Sequence, residues 1–387
     1  MRTKFPSESG PRWAWSPLRV LREAVRTSLY WTGVLSLYHR LRNRHTLTVV
    51  AFHRVLQPED PRWATALVPW TMTDDIFRQC LIFFRNHYSL VTLGEVMASL
   101  EGKRPLPSRS LLITFDDGFA DNFDYALPLL RQHDASAAVF ITSDVVGHEE
   151  RLWTEELLWA VMAGRVSQAM LAQLYVLLFA GSAYDPEDPM LIWKIVHQRP
   201  QVEPVQVDAD LAKLKIELVR VTHPRQMLTR DEIAGLIANG LFIGAHGKTH
   251  AALPSSSDLL SELCQARATL TEIVAAHGHP PVDALSFPHG VYTSDVVHQA
   301  LAAGYRLLFT GDAAVCMLKH GFLTSPVVGR IDVPEARVSR KGTFRPAVLA
   351  TLLFTAARQH ARPARFGLPV ENAAAPPAAA APPSRIH

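Results

Sequence analysis

A short buried strand that ends in two adjacent carboxylates is the feature that most constrains this chain. Ser110–Ile113 is apolar and partly β-branched, and a proline-rich break precedes it, which is typical of a buried strand. Asp116, Asp117 and Gly118 follow the strand. Because neighbouring side chains on a strand point to opposite faces, both aspartates can serve one site only where the strand ends and the chain turns.

The segments after this pair predict the fold class. Residues 119–133 have helical periodicity, and Ala137–Ile141 is the next apolar strand. A strand, a helix and a second strand in this order form a β-α-β unit, which predicts an α/β protein with a parallel sheet or barrel. No internal repeat is evident.

The carboxylate pair indicates a chemical site. Two carboxylates beside a hydrophobic core are unfavourable unless a cation or a proton compensates them. The alternative is a solvated Asp-Gly turn. A second apolar strand, Leu241–Ala245, delivers His246 and His250. Imidazole and carboxylate together are a usual ligand set for a catalytic divalent metal, and one aspartate would remain free to act as a base.

These residues resemble the first two motifs of the NodB-type polysaccharide deacetylases, carbohydrate esterase family 4. The motif Thr-Phe-Asp-Asp-Gly is matched completely at Thr114–Gly118, and His-x-x-x-His is matched by His246 and His250. The resemblance covers about residues 48–335 and implies a distorted (β/α) barrel of the NodB-homology type. It also implies Asp116 as the catalytic base, and Asp117 with both histidines as ligands of a divalent metal, with zinc as the commonest ion.

The third motif of the family, Arg-x-Pro-x-Gly, is matched only in part. Pro288 and Gly290 keep their places and are expected to border the substrate, whereas Ser286 stands where the family has an arginine that helps to hold the base. The resemblance implies that the backbone N–H of His289 helps to stabilise the oxyanion, because backbone donation survives a change of side chain. What orients Asp116 is left open.

The family's last motif supplies a histidine as general acid, and this chain has no clear match for it. His320 and His289 are the candidates for that acid, and His53 is a third. Each candidate is weighed against an ordinary structural role.

Three residues near strand ends complete the expected substrate-binding set. His53 follows the apolar strand Thr46–Phe52 and lies either near the metal or in a structural position. Asp312 follows an apolar strand at 305–309 and is either a residue at the edge of the site or part of a turn. Arg330, Ile331 and Asp332 end the expected final strand.

Composition excludes several classes of protein. Hydrophobic residues make up 48% of the chain and charged residues 19%, as in an ordinary globular protein. Three widely spaced cysteines predict neither a disulfide framework nor a cysteine-based zinc site, and they favour a reducing compartment. The net charge of +3 is concentrated in residues 1–44, which contain nine Lys or Arg and two Glu. The remaining, acidic part argues against a nucleic-acid-binding core.

Residues 1–44 are predicted to form a basic amphipathic arm. From Pro17 onward, apolar residues recur at helical spacing, but no stretch has the length of a transmembrane helix or the form of a signal peptide. The arm either lies on an anionic membrane surface or packs on the rest of the chain as an extra helix. We expect a cytoplasmic protein, with peripheral contact at the inner membrane face as the alternative.

The remaining domain boundaries follow from changes in composition. The barrel is expected over residues 45–335, with a helical insertion at about 150–225 that serves either as a lid or as a partner surface. A C-terminal helix is expected over residues 336–362 and a disordered Ala/Pro-rich tail over residues 363–387.

The resemblance and the residues together predict a metal-dependent hydrolase that removes acetyl groups, from nitrogen or from oxygen. The expected substrate is an acetylated amino-sugar glycan or a lipid-linked precursor of one, and the basic arm favours the second. Two alternatives stay open. A catalytically silent glycan-binding relative is suggested by Ser286 and the unidentified acid, and the same residues could remove a formyl or another amide acyl group from a lipid-linked sugar.

Overall fold

A computed structural model of the chain describes residues 17–64, 66–148, 153–179, 185–186, 191–192, 195, 204–214, 216, 225–256 and 258–359. The expected disordered tail and part of the expected insertion lie outside the described residues.

The strands are β1 (Thr46–Phe52), β2 (Arg54–Leu56), β3 (Thr71–Thr73), β4 (Ser89–Leu90), β5 (Ser110–Phe115), β6 (Ala137–Ile141), β7 (Phe242–Ala245), β8 (Ala284–Ser286), β9 (Leu307–Thr310), β10 (Ala314–Met317), β11 (Val327–Gly329), β12 (Ile331–Asp332), β13 (Ser339–Arg340), β14 (Thr343–Phe344) and β15 (Ala357–Gln359). The α-helices are Pro17–Trp31, Val34–Arg42, Asp74–His87, Leu93–Leu100, Leu127–Gln132, Trp153–Met162, Gln168–Leu178, Pro204–Lys213, Arg230–Ala238, Leu259–Ala275, Ser294–Ala302, Glu335–Val338 and Pro346–Phe354. A π-helix, Asn122–Ala126, precedes Leu127–Gln132.

The main sheet curls into a nearly closed barrel. Its strands follow the order β11, β9, β8, β7, β6, β5, β1, and each pair is parallel. β12 continues the path of β11 after one residue, Arg330, and pairs in parallel with β1, so Ile331 lies opposite Val50. The last barrel strand thereby returns to the first one. The expected (β/α) barrel is confirmed.

Alternate residues along the strands pack into two separate clusters. Val50 and Ile113 share a large cluster with Phe77 of the helix Asp74–His87. Val49 and Leu112, their neighbours in sequence, belong to a second cluster that also contains Phe140 and Phe309. This alternation places one set outside the sheet, against the helices, and the other inside the barrel. Since side chains fill the interior, a ligand can enter only at a mouth of the barrel.

The predicted single helix over residues 336–362 is wrong. The chain turns at Lys341 and Gly342, whose φ angles are 53° and 75°, and this turn joins β13 to β14. Because a helix needs negative φ angles, this turn separates the short helix Glu335–Val338 from the helix Pro346–Phe354. β15 follows and pairs with β10.

The arm packs on the barrel through one of its faces. His39 is buried, and its ring stacks on Phe354 with centroids 4.0 Å apart. Arg42 donates to the backbone carbonyls of Phe354 and Ala356 at 3.1 and 2.8 Å. The arm is therefore attached to the C-terminal helix of the fold. Within the described part of the chain, no helix combines the length and apolar character that crossing a bilayer requires.

The described helices of the insertion have a hydrophobic cluster of their own. Leu157, Leu174 and Leu211, from the helices Trp153–Met162, Gln168–Leu178 and Pro204–Lys213, pack in it. Leu67 joins this cluster and Trp70 packs against it, so the insertion contacts the segment before β3. That segment borders the site described next.

Candidate metal centre and catalytic carboxylate

The candidate residues lie at the carboxyl ends of parallel strands. Asp116 follows β5, His246 follows β7, and Ser286 ends β8. Because β5, β6, β7 and β8 are parallel neighbours, their ends meet at the same mouth of the barrel. The chain turns at Asp117, where φ is 77°, so that both aspartates face this mouth.

Three predicted metal ligands converge in the structure. Oδ1 of Asp117 lies 3.3 Å from Nε2 of His246 and 3.3 Å from Nε2 of His250. One ligand atom from each residue lies within 4.8 Å of the others, and all three residues are buried or nearly so. One carboxylate and two imidazoles at this separation are a donor set that could hold a divalent cation.

Two further observations fit a cation between these atoms. Nδ1 of His246 lies 2.9 Å from the carbonyl oxygen of Ser286 and can donate to it, which turns the Nε2 lone pair toward Asp117. Oδ1 of Asp117 is buried and accepts no hydrogen bond from any residue that the structure describes. Burial acts to raise the pKa of Asp117, but the imidazoles of His246 and His250 outweigh it and hold that pKa well below its usual range. The ligand oxygen is thus charged, buried and in need of a positive partner.

Asp116 is held by Arg330, a residue that was not predicted to have this role. Nη1 and Nη2 of Arg330 donate to Oδ1 and Oδ2 of Asp116, each at 2.7 Å, and Oγ of Ser286 donates to Oδ2 at 3.3 Å. Burial alone would raise the pKa of Asp116, but Arg330, with His246 and His53, lowers it below the ordinary value. The carboxylate is therefore ionised and fixed in orientation by a bidentate pair.

Arg330 was expected to contact the substrate, and the structure gives its guanidinium another partner. It lies in the one-residue gap between β11 and β12, where the barrel closes, and its side chain is buried. Ser286 stands where the family has an arginine, and Arg330, from the junction of β11 and β12, contacts Asp116 instead. The sequence contains one indication of this role, because a single arginine lies between Val327–Gly329 and Ile331.

The Pro288–Gly290 segment lies directly beside the metal ligands. The ring centroid of His289 is 4.4 Å from that of His250, and its Nε2 lies 3.2 Å from the carbonyl oxygen of His250. A Cβ atom on Gly290 would come within 2.6 Å of Cα of Gly311, so only glycine allows this close approach. Pro288 is buried and borders Gly247 of the second motif.

The structure contradicts His320 as the general acid. β10 runs antiparallel to β1, so Met317 lies opposite Thr46, at the start of β1. His320 follows in a turn in which Lys319 pairs with Phe322. The site lies beyond the other end of β1, about 20 Å away at the usual rise of a strand. Too great a distance separates His320 from Asp116 for proton transfer to the substrate.

Asp312 and His53 both lie near the mouth that holds the site. Asp312 follows β9 after Gly311 and accepts a hydrogen bond from the hydroxyl of Tyr292 at 2.6 Å. The carbonyl oxygen of His53 accepts from Asn122 at 2.9 Å, and its ring lies 6.3 Å from that of Trp70.

A cleft beside the mouth contains residues that the sequence did not single out. It has a volume of about 220 Å³ and is lined by Phe52, His53, Trp70, Asp332 and Glu335, among others. Trp70 precedes β3 and Asp332 ends β12, so neither belongs to a recognised motif. The sequence does not show that Ala51 pairs with Asp332 in parallel strands. This pairing brings the carboxylate of Asp332 next to the end of β1.

Comparisons with known proteins agree with this geometry. Residues 103–173 match the sequence profile of the family described as polysaccharide deacetylase. Over 72 residues the chain is 32% identical to YxkH of Bacillus subtilis (strain 168), a protein named as a polysaccharide deacetylase. That match covers 19% of this chain and 26% of YxkH, about a quarter of its length.

Solved structures extend the likeness to most of the fold. The Streptococcus pyogenes deacetylase PplD, solved in complex with acetate, aligns over 80% of this chain and 98% of its own, with a TM-score of 0.50 and 15% identity. IcaB from Ammonifex degensii aligns over 80% and 97%, with a TM-score of 0.48 and 17% identity. The resemblance predicted from the motifs is confirmed: this chain is similar to the polysaccharide deacetylases in sequence over residues 103–173, and it has the deacetylase (β/α) barrel.

Proposed function

We propose that this chain is a metal-dependent deacetylase that hydrolyses the N-acetyl group of an amino-sugar glycan or of a lipid-linked precursor. One observation carries the proposal. An ionised Asp116, held by Arg330, lies next to a buried cluster of three metal-ligand donors in which Oδ1 of Asp117 has no proton donor.

The donor set indicates how a cation would be held. Asp117, His246 and His250 would hold it, and two imidazoles with one carboxylate suit zinc better than magnesium or calcium. When bound, the cation supplies a Lewis acid that polarises the acyl carbonyl and lowers the pKa of the attacking water.

Asp116 then acts as the general base. Its oxygens lie beside the ligand cluster, with Oδ2 4.0 Å from Nε2 of His246. Arg330 keeps the carboxylate ionised and prevents its rotation, so that one oxygen is always presented to the water. The backbone N–H of His289 is proposed to help stabilise the oxyanion, as the resemblance implies.

His53 is the better placed of the remaining candidates for the general acid. It lines the cleft beside the mouth, and its charge contributes to lowering the pKa values of both Asp116 and Asp117. Nε2 of His289 is already within hydrogen-bond distance of the His250 carbonyl oxygen. We therefore assign protonation of the leaving amine to His53, with His289 as the alternative.

The cleft offers the features that a sugar ring needs. Trp70 provides an aromatic surface, and Asp332 provides a carboxylate that can accept hydrogen bonds from hydroxyl or amino groups. A lipid-linked glycan at the inner membrane face remains the favoured source of that sugar, and peripheral membrane contact through residues 1–44 is part of this proposal.

The test is release of acetate from an oligomer of N-acetylglucosamine by the zinc-reconstituted full chain. Acetate should appear with the wild-type protein and be lost with Asp116→Asn. Formate release from a formylated amino sugar, without acetate from the acetylated one, would favour the deformylase alternative. Binding of the oligomer with neither product would favour a silent glycan-binding protein and overturn the proposal.

A further inference from the structure

The two helices of the arm expose an apolar surface to solvent. Along Pro17–Trp31 and Val34–Arg42, large hydrophobic side chains are between 37% and 73% exposed. We call these residues the arm face: Leu21, Val25, Leu29, Trp31, Val34, Leu37, Tyr38 and Leu41. Trp31 and Leu41, at 73% each, are the most exposed. Eight such residues close together in sequence exceed the scattered apolar exposure that is normal on a protein surface.

The spacing of the arm-face residues shows that they lie on one side of each helix. Leu21, Val25 and Leu29 are spaced four residues apart and therefore share a side of the first helix. In the second helix the exposed side carries Val34, Leu37, Tyr38 and Leu41, at intervals of three and four residues. A surface helix normally turns its apolar side inward. Here the inward side is formed by Leu35 and His39, and the outward side is apolar as well.

The charges around the arm face are almost all positive. Arg22, Arg40 and Arg44 are exposed, and none of them forms an ion pair with another described residue. Glu23 is the one acidic residue between positions 17 and 44, and it is paired with Arg345. The surface thus combines exposed aliphatic and aromatic side chains with unneutralised arginines.

This combination fits an anionic lipid surface better than a second copy of the chain. In a twofold-symmetric dimer the arm face would meet itself, so its arginines would approach the same arginines. Anionic headgroups instead complement the arginines, while apolar side chains enter the headgroup and acyl boundary. We propose that the arm face binds anionic membrane surfaces peripherally. This inference deepens the membrane contact suggested above by naming the binding residues, and it does not depend on hydrolase activity.

Flotation of the full chain with vesicles tests the inference directly. Vesicles of phosphatidylcholine with phosphatidylglycerol should carry the wild-type protein to the top of a density gradient, and pure phosphatidylcholine should carry much less. The double variant Leu37→Glu with Leu41→Glu should bind at least about tenfold more weakly, because it removes apolar contacts and adds negative charge. Leu260→Glu is the matched control, since Leu260 is 62% exposed on a different helix, and it should float like the wild type.

Two results would overturn the inference. One is equal flotation of the double variant and the wild type. The other is absence of wild-type flotation at low salt together with dimers in sedimentation that the double variant abolishes, because the arm face would then bind a second copy. Zinc content, measured on the same samples, should be unchanged by the double variant. A failure of the metal site would appear there and would leave the flotation result unaffected.

Discussion

Two groups of buried carboxylates in this protein are compensated in opposite ways. In the first, which we call the ion-pair network, Asp121 accepts from Nε of Arg54 at 2.8 Å and from the backbone N–H of Val55 at 3.0 Å. Asp60 in the same network accepts from Arg62 and from the hydroxyl of Tyr125. The second group is the candidate metal-ligand cluster, in which Oδ1 of Asp117 has two imidazole nitrogens 3.3 Å away and accepts no hydrogen bond from a described residue.

The difference distinguishes aspartates that stabilise the fold from an aspartate that is placed to bind a ligand. Every carboxylate oxygen of Asp121 and Asp60 accepts a hydrogen bond inside the protein, so neither carboxylate needs a cation, and Asp121 joins the segment after β1 to the segment after β5. In the metal-ligand cluster, by contrast, none of the described residues donates a hydrogen bond to Oδ1 of Asp117. Asp116 lies between these cases, because Arg330 satisfies its charge while leaving it beside the reacting groups.

The largest effect is expected from Asp116→Asn. The amide cannot accept a proton from water, so turnover should fall by about 10³-fold, the range expected for loss of a general base. Metal content should stay at the wild-type value, because Asp116 is not one of the ligands. Steady-state acetate release and elemental analysis of the same preparation measure both quantities. Turnover near the wild-type rate would remove Asp116 from the role of base.

An aspartate-to-asparagine substitution in the ion-pair network should lower the stability of the fold. Asp121→Asn leaves Arg54 without a charged partner in a buried position, so the free energy of unfolding should fall by about 3 kcal/mol. Denaturant unfolding measures this loss. Asp75→Asn is the control, because Asp75 and its partner Arg78 are largely exposed and their pair contributes little. Loss of metal in Asp121→Asn would show that the two regions are not separate.

Arg330→Met should affect turnover through the orientation and charge of Asp116. We expect kcat to fall by about 30-fold, within the range for loss of a group that positions a catalytic residue, with KM nearly unchanged. Arg330→Lys should restore part of kcat, because it keeps the charge but not the bidentate geometry. An equal rise in KM with unchanged kcat would instead support the original expectation that Arg330 contacts the substrate.

The smallest effect concerns a buried histidine of the arm. Burial lowers the pKa of His39 to about 3, the hydrogen bond to the His87 carbonyl opposes this, and the charges of Arg109, His87 and Arg40 add to the lowering. Nε2 of His39 lies 3.2 Å from that carbonyl and Nδ1 lies 3.0 Å from Nδ2 of Asn43, so the neutral ring is satisfied. Protonation would bury an uncompensated charge.

The sign of the pH dependence follows from this lowered pKa. The unfolded chain binds a proton at about pH 6.5 and the folded chain only near pH 3, so the stability contribution is complete above pH 6.5 and is lost as the pH falls. The free energy of unfolding should decrease by about 1 kcal/mol for each pH unit below about 6. Denaturant titrations at pH 7, 6 and 5 measure the slope. His39→Gln should have a smaller slope, and an unchanged slope would exclude His39 as its source.

Much of the site could be predicted because its residues follow strands. The periodicity that identifies β5 and β7 is local, so the positions of Asp116, Asp117, His246 and His250 at strand ends could be inferred before any tertiary contact was known. The alternation of strands and helices indicated a parallel sheet or barrel, and the family resemblance implied the barrel.

The parts that could not be predicted depend on distant pairings. Arg330 contacts Asp116 across 214 positions in sequence, and only the closure of β12 on β1 brings them together. His320 was misplaced because the reversal of β10 against β1 carries it to the wrong end of the barrel. The C-terminal error had a local and a distant cause: positive φ angles at Lys341 and Gly342 interrupt the predicted helix, and β15 pairs with β10 instead of continuing it.

The central claim is that Asp117, His246 and His250 bind one divalent cation and that the neighbouring residues do not. Elemental analysis of zinc per chain, on the purified wild type and on His250→Ala and His289→Ala, tests this most directly. The account predicts about one ion for the wild type and for His289→Ala, and none for His250→Ala. Equal metal in all three proteins, or none in the wild type after reconstitution with zinc, would contradict it.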